Sequence, residues 1–261
     1  MAITLRSHRE IELMRKAGAV VADVLLKLKE IAEPGKTTAW LDRVAVQMAA
    51  EAGAETLFKG VRSPMAKIPF PGAICASINE QVVHGIPSED TKLKNGDILS
   101  IDFGVRLNGY CADSARTVAI GEISEDRRKL MDTTKRVLDI AIEKSAPSVR
   151  WSQVAAEMQR RAESAGFSVV RDFVGHGIGR QMHEEPKVPN FVSKELLAND
   201  IVLAEGMVLA VEPMINAGSS AVRTLKNGWT VVTRDGKSSA HFEHTIVILK
   251  NGCEVLTINE Q

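Results

Sequence analysis

The feature that most narrows the folds open to this chain is that its sequence runs the same course twice. Residues 7–33 carry Ile11, Met14, Val21, Val24, Leu25 and Leu28 at helical spacing. Ser7 and Glu10 are placed as a capping box, and Pro34-Gly35 as a stop. Thr37 or Thr38 then caps a second helix ending near Ala52-Gly53. A loop with Pro64, Pro69 and Pro71 follows over 60–73, then strand-like runs at Ala73–Ile78, Ile98–Arg106 and Arg116–Ile120. The order restarts with a helix over Glu125–Lys144, a stop at Pro147, and a helix ending at Ala165-Gly166. Pro34 and Pro147 are 113 positions apart, as are Gly53 and Gly166, and Val24-Leu25 and Val137-Leu138. The runs Gly96-Asp-Ile-Leu-Ser-Ile-Asp102 and Gly206-Met-Val-Leu-Ala-Val-Glu212 recur at an offset of 110. Shared order and offset across these landmarks indicate an internal duplication. The expected architecture is α+β, with a pseudo-two-fold pair of helix-helix-antiparallel-strand halves around a curved central sheet. The expected organisation is one domain across residues 1–261, with repeats at about 7–120 and 124–250.

Bulk properties exclude several classes. Lys plus Arg equals Asp plus Glu at 33 each, so no overall field favours nucleic acid or an anionic membrane. Arg127-Arg128-Lys129 and Arg160-Arg161 read as solvated helix faces. Cys75, Cys111 and Cys253 form neither a zinc spacing nor an even disulfide set, which suits a reducing cytoplasm. The N-terminal segment has no signal-peptide core, and Asp23 and Lys27 interrupt the most apolar early stretch.

Both glycine-to-acid runs end in a carboxylate after an apolar stretch, where an unpaired buried charge is very costly. Asp113 follows Asp102 across a hairpin turn at Asn108-Gly109, so the two acids can meet on adjacent strands. His176 lies in Gly175-His-Gly-Ile-Gly179, where flanking glycines let backbone or ligand approach closely, and Glu243 lies in His241-Phe-Glu-His244. Asp102, Asp113, His176, Glu212 and Glu243 are therefore candidate metal ligands. Two divalent cations would offset four carboxylates, and the imidazole adds a neutral ligand. Each acid taken alone reads first as a surface or salt-bridged group; five together do not. His241 falls on the same strand face as Glu243, His244 on the other, and His8 at the surface.

With these residues in view, the chain resembles the type I methionine aminopeptidases of the pita-bread metallopeptidase fold over nearly its whole length. The resemblance is carried by Ser77-Ile-Asn-Glu80, His84-Gly-Ile-Pro87, Cys111-Ala-Asp113, His183-Glu-Glu-Pro186, Val211-Glu-Pro-Met214, Asn227-Gly-Trp229 and Phe242-Glu-His-Thr245, with the two acid runs and the His176 motif. It implies removal of an N-terminal methionine from peptides and nascent proteins when the second residue is small. Asp102 would hold one metal and His176 and Glu212 the other, with Asp113 and Glu243 bridging. Glu212 would accept a proton, His183 would lie near the scissile amide, and His84 near the substrate backbone. Cys75, Phe70 and Trp229 would form the methionine pocket; without the resemblance these three read as core. Ser239 and the Asn79 region match a monovalent-cation site in the family.

Metal identity stays open among cobalt, manganese, iron and zinc. Further expectations are a cytoplasmic monomer, with ribosome association left open and no sequence-specific nucleic acid or membrane partner. Met182 stands where the family often has an aromatic residue, and segment 60–72 is longer than in compact bacterial members. No N-terminal zinc-binding extension, type II insertion or additional N-terminal domain is expected, and Met1-Ala2 itself fits the substrate rule. The competing readings are a proline-specific aminopeptidase of the same fold and a non-catalytic module binding peptides or ribosomes.

Overall fold

Capping chemistry sets where the helices begin. Helix α1 (His8–Ile31) starts from the Ser7–Glu10 capping box, and α2 (Thr38–Glu51) from Thr37, whose side chain accepts from the Trp40 N–H. Helix α3 (Glu125–Lys144) is capped by Ser124 in the same way. Helix α4 (Trp151–Ser164) has Arg150 at its cap and no local side-chain bond; Asp200 reaches in instead, accepting from Ser152 N at 3.0 Å and Ser152 Oγ at 2.6 Å. The computed structural model describes residues 3–258, so Met1-Ala2 and residues 259–261 lie outside it.

The strands of the first half are β1 (Glu55–Thr56), β2 (Ile74–Ile78), β3 (Gln81–Val83), β4 (Ile98–Leu107) and β5 (Tyr110–Ala119). The second half adds β6 (Ser168–Val169), β7 (Gly175–Gly177), β8 (Glu184–Val188), the short α5 (Lys194–Ala198), β9 (Val208–Val211) and β10 (Met214–Asn216). It closes with β11 (Val222–Thr224), β12 (Val231–Thr233), β13 (Ser239–His241), β14 (His244–Leu249) and β15 (Gly252–Val255). Strand β5 begins well before the Arg116–Ile120 run that periodicity marks, because it turns the polar Asp113 and Ser114 inward. Asn108 and Gly109 form the two-residue turn, both at positive φ (51° and 80°), which matches the twist of the flanking strands.

The expected central layer consists of four hydrogen-bonded sheets, all antiparallel where paired. In the first large sheet β4 lies between β5 on one edge and β2 and β1 on the other. The second runs β15-β14-β9-β7-β8. Two small sheets, β13-β10-β6 and β11-β12-β3, complete the layer. The duplication is visible in the pairing: β2-β4-β5 in one half, β7-β9-β14 in the other. Each half has its own core. Val21, Leu25, Leu28 and Leu41 pack on Ile74, Leu99 and Phe103; Leu130, Leu138, Trp151 and Met158 pack on Leu209, Val211 and Ile246. A smaller cluster of Met14, Cys111, Ile178, Val208 and Val247 joins them.

The large sheets abut along β5 and β14, and side chains replace part of the ladder there. Thr245 Oγ1 accepts the Asp113 N–H at 3.1 Å and donates to the Asp113 carbonyl at 2.8 Å. Ser114 Oγ donates to the Glu243 carbonyl at 2.5 Å, and Glu243 N–H donates to Ala115 O at 2.9 Å. The seam satisfies the main chain of Asp113 and Glu243 without using either carboxylate.

Candidate metal centre and substrate cavity

The seam fixes Asp113 and Glu243, and β4, β7 and the end of β9 bring three more ligand candidates to the same place. On β4 and β5, Asp102 stands opposite Ala115 and Asp113 opposite Gly104, so the acids are diagonal neighbours on one face. Gly104 leaves room for this: a Cβ there would lie 2.9 Å from Asp113 Oδ1. Glu212 follows the last residue of β9, and Glu243 precedes the first residue of β14, whose His244 pairs with Val211. His176 is central in β7, beside Ala210 of β9. The glycines flanking His176 serve backbone packing rather than ligand access, since a Cβ on Gly175 would meet Ala210 O at 2.3 Å and one on Gly177 Glu185 O at 2.2 Å.

Ligand atoms of Asp113, His176 and Glu243 lie within 4.8 Å of one another. Glu212 Oε1 is 3.6 Å from His176 Nε2. His176 Nδ1 lies 2.9 Å from the Gly177 carbonyl; donating there leaves Nε2 as a lone pair facing the acids. Burial holds the His176 ring neutral, down to about 4, with His183 adding to the shift.

The acids show the opposite perturbation. Burial raises Asp102 to about 7. Burial, then the Asp102 charge, pushes Asp113 and Glu212 well above the carboxylate range. Glu243 is raised by burial and then by Asp113. Asp102 Oδ1, Asp113 Oδ1 and Glu243 Oε1 are buried without a hydrogen-bond partner. No Lys or Arg is among the described residues lining the cavity. Four carboxylates, three with orphaned oxygens, plus one neutral imidazole form a donor set that fits divalent cations.

The same cavity, about 210 Å³, is lined by all five of these residues and by His84, His183, Cys75, Phe70 and Trp229. That is room for a side chain and the atoms around one peptide bond. Cys75 lies opposite Asp102 in the β2–β4 ladder. Phe70 and Trp229 meet edge to face at 5.3 Å, and Trp229 Nε1 donates to Ile68 O at 3.0 Å. Segment 60–72 thereby becomes a wall of the cavity, its stem closed by Gly60 N–H to Phe70 O and Phe70 N–H to Val61 O, both at 2.8 Å. Met182 packs against this cluster.

His84 has φ 58°, and its ring meets Phe173 at 5.6 Å. His183 stands at the open mouth, its ring 4.3 Å from that of His176. His241 is buried with Nε2 unpartnered and 3.7 Å from Glu212 Oε2, so it touches the acid cluster. His244 points away to Thr257 Oγ1 at 2.8 Å, and His8 is exposed. Ser239 and Asn79 are brought together by Ser239 N–H to Asn79 O at 2.8 Å.

Phe58 and Val61 also line the cavity, and sequence reasoning passed over them. Phe58 follows an apolar residue ahead of a loop and carries no local signal. Thr245 and Asn190, which donates to Glu212 O at 3.1 Å, were equally silent, because their roles exist only through partners distant in sequence.

Comparison with known proteins shows the family. The sequence pattern of Metallopeptidase family M24 matches residues 12–250. A methionine aminopeptidase of Clostridium perfringens is 49% identical over 256 residues, spanning 98% of this chain and 99% of that protein. The crystal structure of a Thermotoga maritima methionine aminopeptidase superposes with a TM-score of 0.93 at 39% identity, covering 99% of this chain and all of that one. A prolidase from Pyrococcus furiosus shares the fold alone, with a TM-score of 0.74 at 22% identity, this chain covering 66% of it. No helix among the described residues is long and apolar enough to cross a membrane. With its pita-bread fold and buried carboxylate-imidazole cluster, the chain belongs to Metallopeptidase family M24, as a full-length relative of the methionine aminopeptidases.

Proposed function

We propose that this chain removes the N-terminal methionine from peptides and nascent proteins whose second residue is small. The reading is carried by one observation: the acid cluster and an apolar, sulfur-and-aromatic pocket share a single cavity. Asp102, Asp113, His176, Glu212 and Glu243 would hold divalent metal, two ions offsetting the four carboxylates; manganese, iron, cobalt and zinc all suit this donor set. When bound, the pair supplies Lewis-acid polarisation of the first peptide carbonyl and activation of a water.

The chain's own residues do the rest. Glu212 takes the proton from the attacking water. His183, at the mouth, hydrogen-bonds the reacting amide, and His84 holds the substrate backbone. Cys75, Phe70 and Trp229, with Phe58, Val61 and Met182, receive the methionine side chain, whose unbranched thioether suits aromatic edges. Ser239 and the Asn79 region would hold a monovalent cation. The working unit is a single catalytic domain across residues 1–261, built from repeats at about 7–120 and 124–250. It acts as a cytoplasmic monomer on the N-termini of peptides and nascent proteins.

The test is kcat/KM across a peptide panel after chelation and re-addition of each metal. Met-Ala-Ser and Met-Gly-Met should release free methionine, and Met-Lys or Met-Phe peptides little. Leu-Ala-Ser should be slower by about 10–200-fold, the range for a small mismatch in an apolar pocket. Acetylated substrates should be inert. A preference for X-Pro bonds would replace this reading with the proline-specific one, and tight peptide binding without turnover under every metal would replace it with a binding module.

A further inference from the structure

We infer that Arg6 is a positioning residue for the first-residue pocket, acting through Glu184 on the turn that carries Met182 and His183. The inference rests on the reading of that cavity as the methionine site, and it extends the machinery to a residue outside the cavity.

Arg6 differs from the other arginines with ion-pair partners. Its side chain is 5% exposed, and its guanidinium Nη2 pairs with Glu184 Oε2, joining residues 178 positions apart. Arg136–Glu143 and Arg160–Glu157, by contrast, lie on solvated helix faces. A solvated pair of that kind contributes little. Breaking a buried pair strands a charge and displaces whatever the pair was holding.

What this pair holds is specific. Glu184 Oε1 accepts the Gln181 N–H at 3.1 Å, closing the four-residue turn in which Met182 and His183 are the middle pair. Gly179, at the foot of the turn, has no side chain because the guanidinium fills that space; a Cβ there would lie 1.9 Å from Arg6 Nη2. The Gly179 carbonyl is fixed by the Cys111 N–H at 2.7 Å. Arg6 is anchored at its own backbone, its N–H donating to Gly206 O at 2.7 Å. Gly206 opens the run that ends at Glu212. Arg6 therefore ties the start of the Glu212 run to the turn whose Met182 walls the pocket and whose His183 faces the scissile amide. The planar guanidinium spreads its donors, Nη2 on Glu184 and Nη1 3.8 Å from Glu10 Oε1, where a lysine supplies only a point charge.

The experiment compares wild type, Arg6→Lys and Arg6→Leu as full-length, metal-loaded proteins. Arg6→Leu should lower kcat/KM on Met-Ala-Ser by about tenfold to a hundredfold, as small displacements of substrate-positioning groups do. It should also narrow the Met-Ala-Ser to Leu-Ala-Ser ratio while metal content per chain stays at the wild-type level. Arg6→Lys should recover part of both. With 13C-methyl methionine, the Met182 resonance (assigned with Met182→Leu) should move in Arg6→Leu, while that of Met158, buried in the second half's core, stays. Unchanged kcat/KM, an unchanged substrate ratio and an unmoved Met182 resonance would overturn the inference, even if the melting temperature fell. Should Arg6→Leu fail to fold, Arg6→Lys and Glu184→Gln carry the same readouts. If wild type itself releases no methionine, the functional reading fails separately, and the Met182 resonance still decides whether Arg6 places the turn.

Discussion

The two halves pair their central strands alike and part company at the ligands. In the first half, β4 and β5 run ten residues each through a two-residue turn, and Asp102 and Asp113 sit within the ladder. In the second half, β9 and β14 have four and six residues, and Glu212 and Glu243 stand just outside their paired ends. The chain between those glutamates makes a long excursion that brings Trp229 into the cavity and His241 against Glu212. An uninterrupted hairpin gives rigid placement; a broken one gives the same two acids with room to add a pocket wall. His176, the one imidazole in the candidate ligand set, has no counterpart among the first half's cavity-lining acids.

The comparison breaks most sharply at the seam. Asp113→Ala and Glu243→Ala, one from each half, should each abolish most methionine release and lower metal stoichiometry. Asp113→Asn should fail as well, since an amide brings no charge. Atomic absorption and turnover on Met-Ala-Ser decide this, and full metal content with near-normal turnover would dissolve the shared-ligand assignment. A smaller loss should follow from the histidines of the second half. His176→Ala should lose metal, whereas His183→Ala should lose turnover with metal largely retained. Equal metal loss in the two would mean that ligand and substrate contact are confused.

The ladder acid offers a gentler comparison, in the metal-free protein. Asp102 is raised from 3.8 to about 7, so its folded-state cost is absent near pH 3.8 and complete above about 7. Asp102→Asn should therefore be more stable than metal-free wild type above pH 7, by an amount of order a few kcal/mol, with the gain vanishing as pH falls toward 4. Thermal unfolding in chelator across this range is the measurement; no gain at high pH would show that the carboxylate is not penalised by burial. The smallest effect concerns the helix caps. Thr37→Ala, removing a local cap in the first half, and Asp200→Ala, removing a distant one in the second, should each cost about 1 kcal/mol in urea unfolding. A negligible cost for Asp200→Ala would mean that α4 needs no substitute for its missing local cap.

What was legible in the sequence was what local chemistry writes. The Ser7–Glu10 box, the Asn108-Gly109 turn and the Glu125–Lys144 helix follow from spacing within a few residues, and all three are present. The duplication made the two acid runs readable as a pair. The inward start of β5 was not legible from periodicity, and only the Asn108-Gly109 turn signal put Asp113 on a strand beside Asp102. The roles of Thr245, Asp200 and the Gly60–Phe70 stem were equally hidden, since each depends on a partner that only the folded chain brings near.

The seam between β5 and β14 also sets a timetable for the protein's own synthesis. Thr245 braces Asp113 across an interval of 132 residues, and Ser114 braces Glu243 across 129. A truncated chain ending before Glu243 would have a complete first hairpin with its two acids, and neither the brace nor the opposing carboxylate. The acid cluster is thus complete only when a late segment closes onto an early one. A chain cut short before Glu243 should therefore release no methionine, rather than a little.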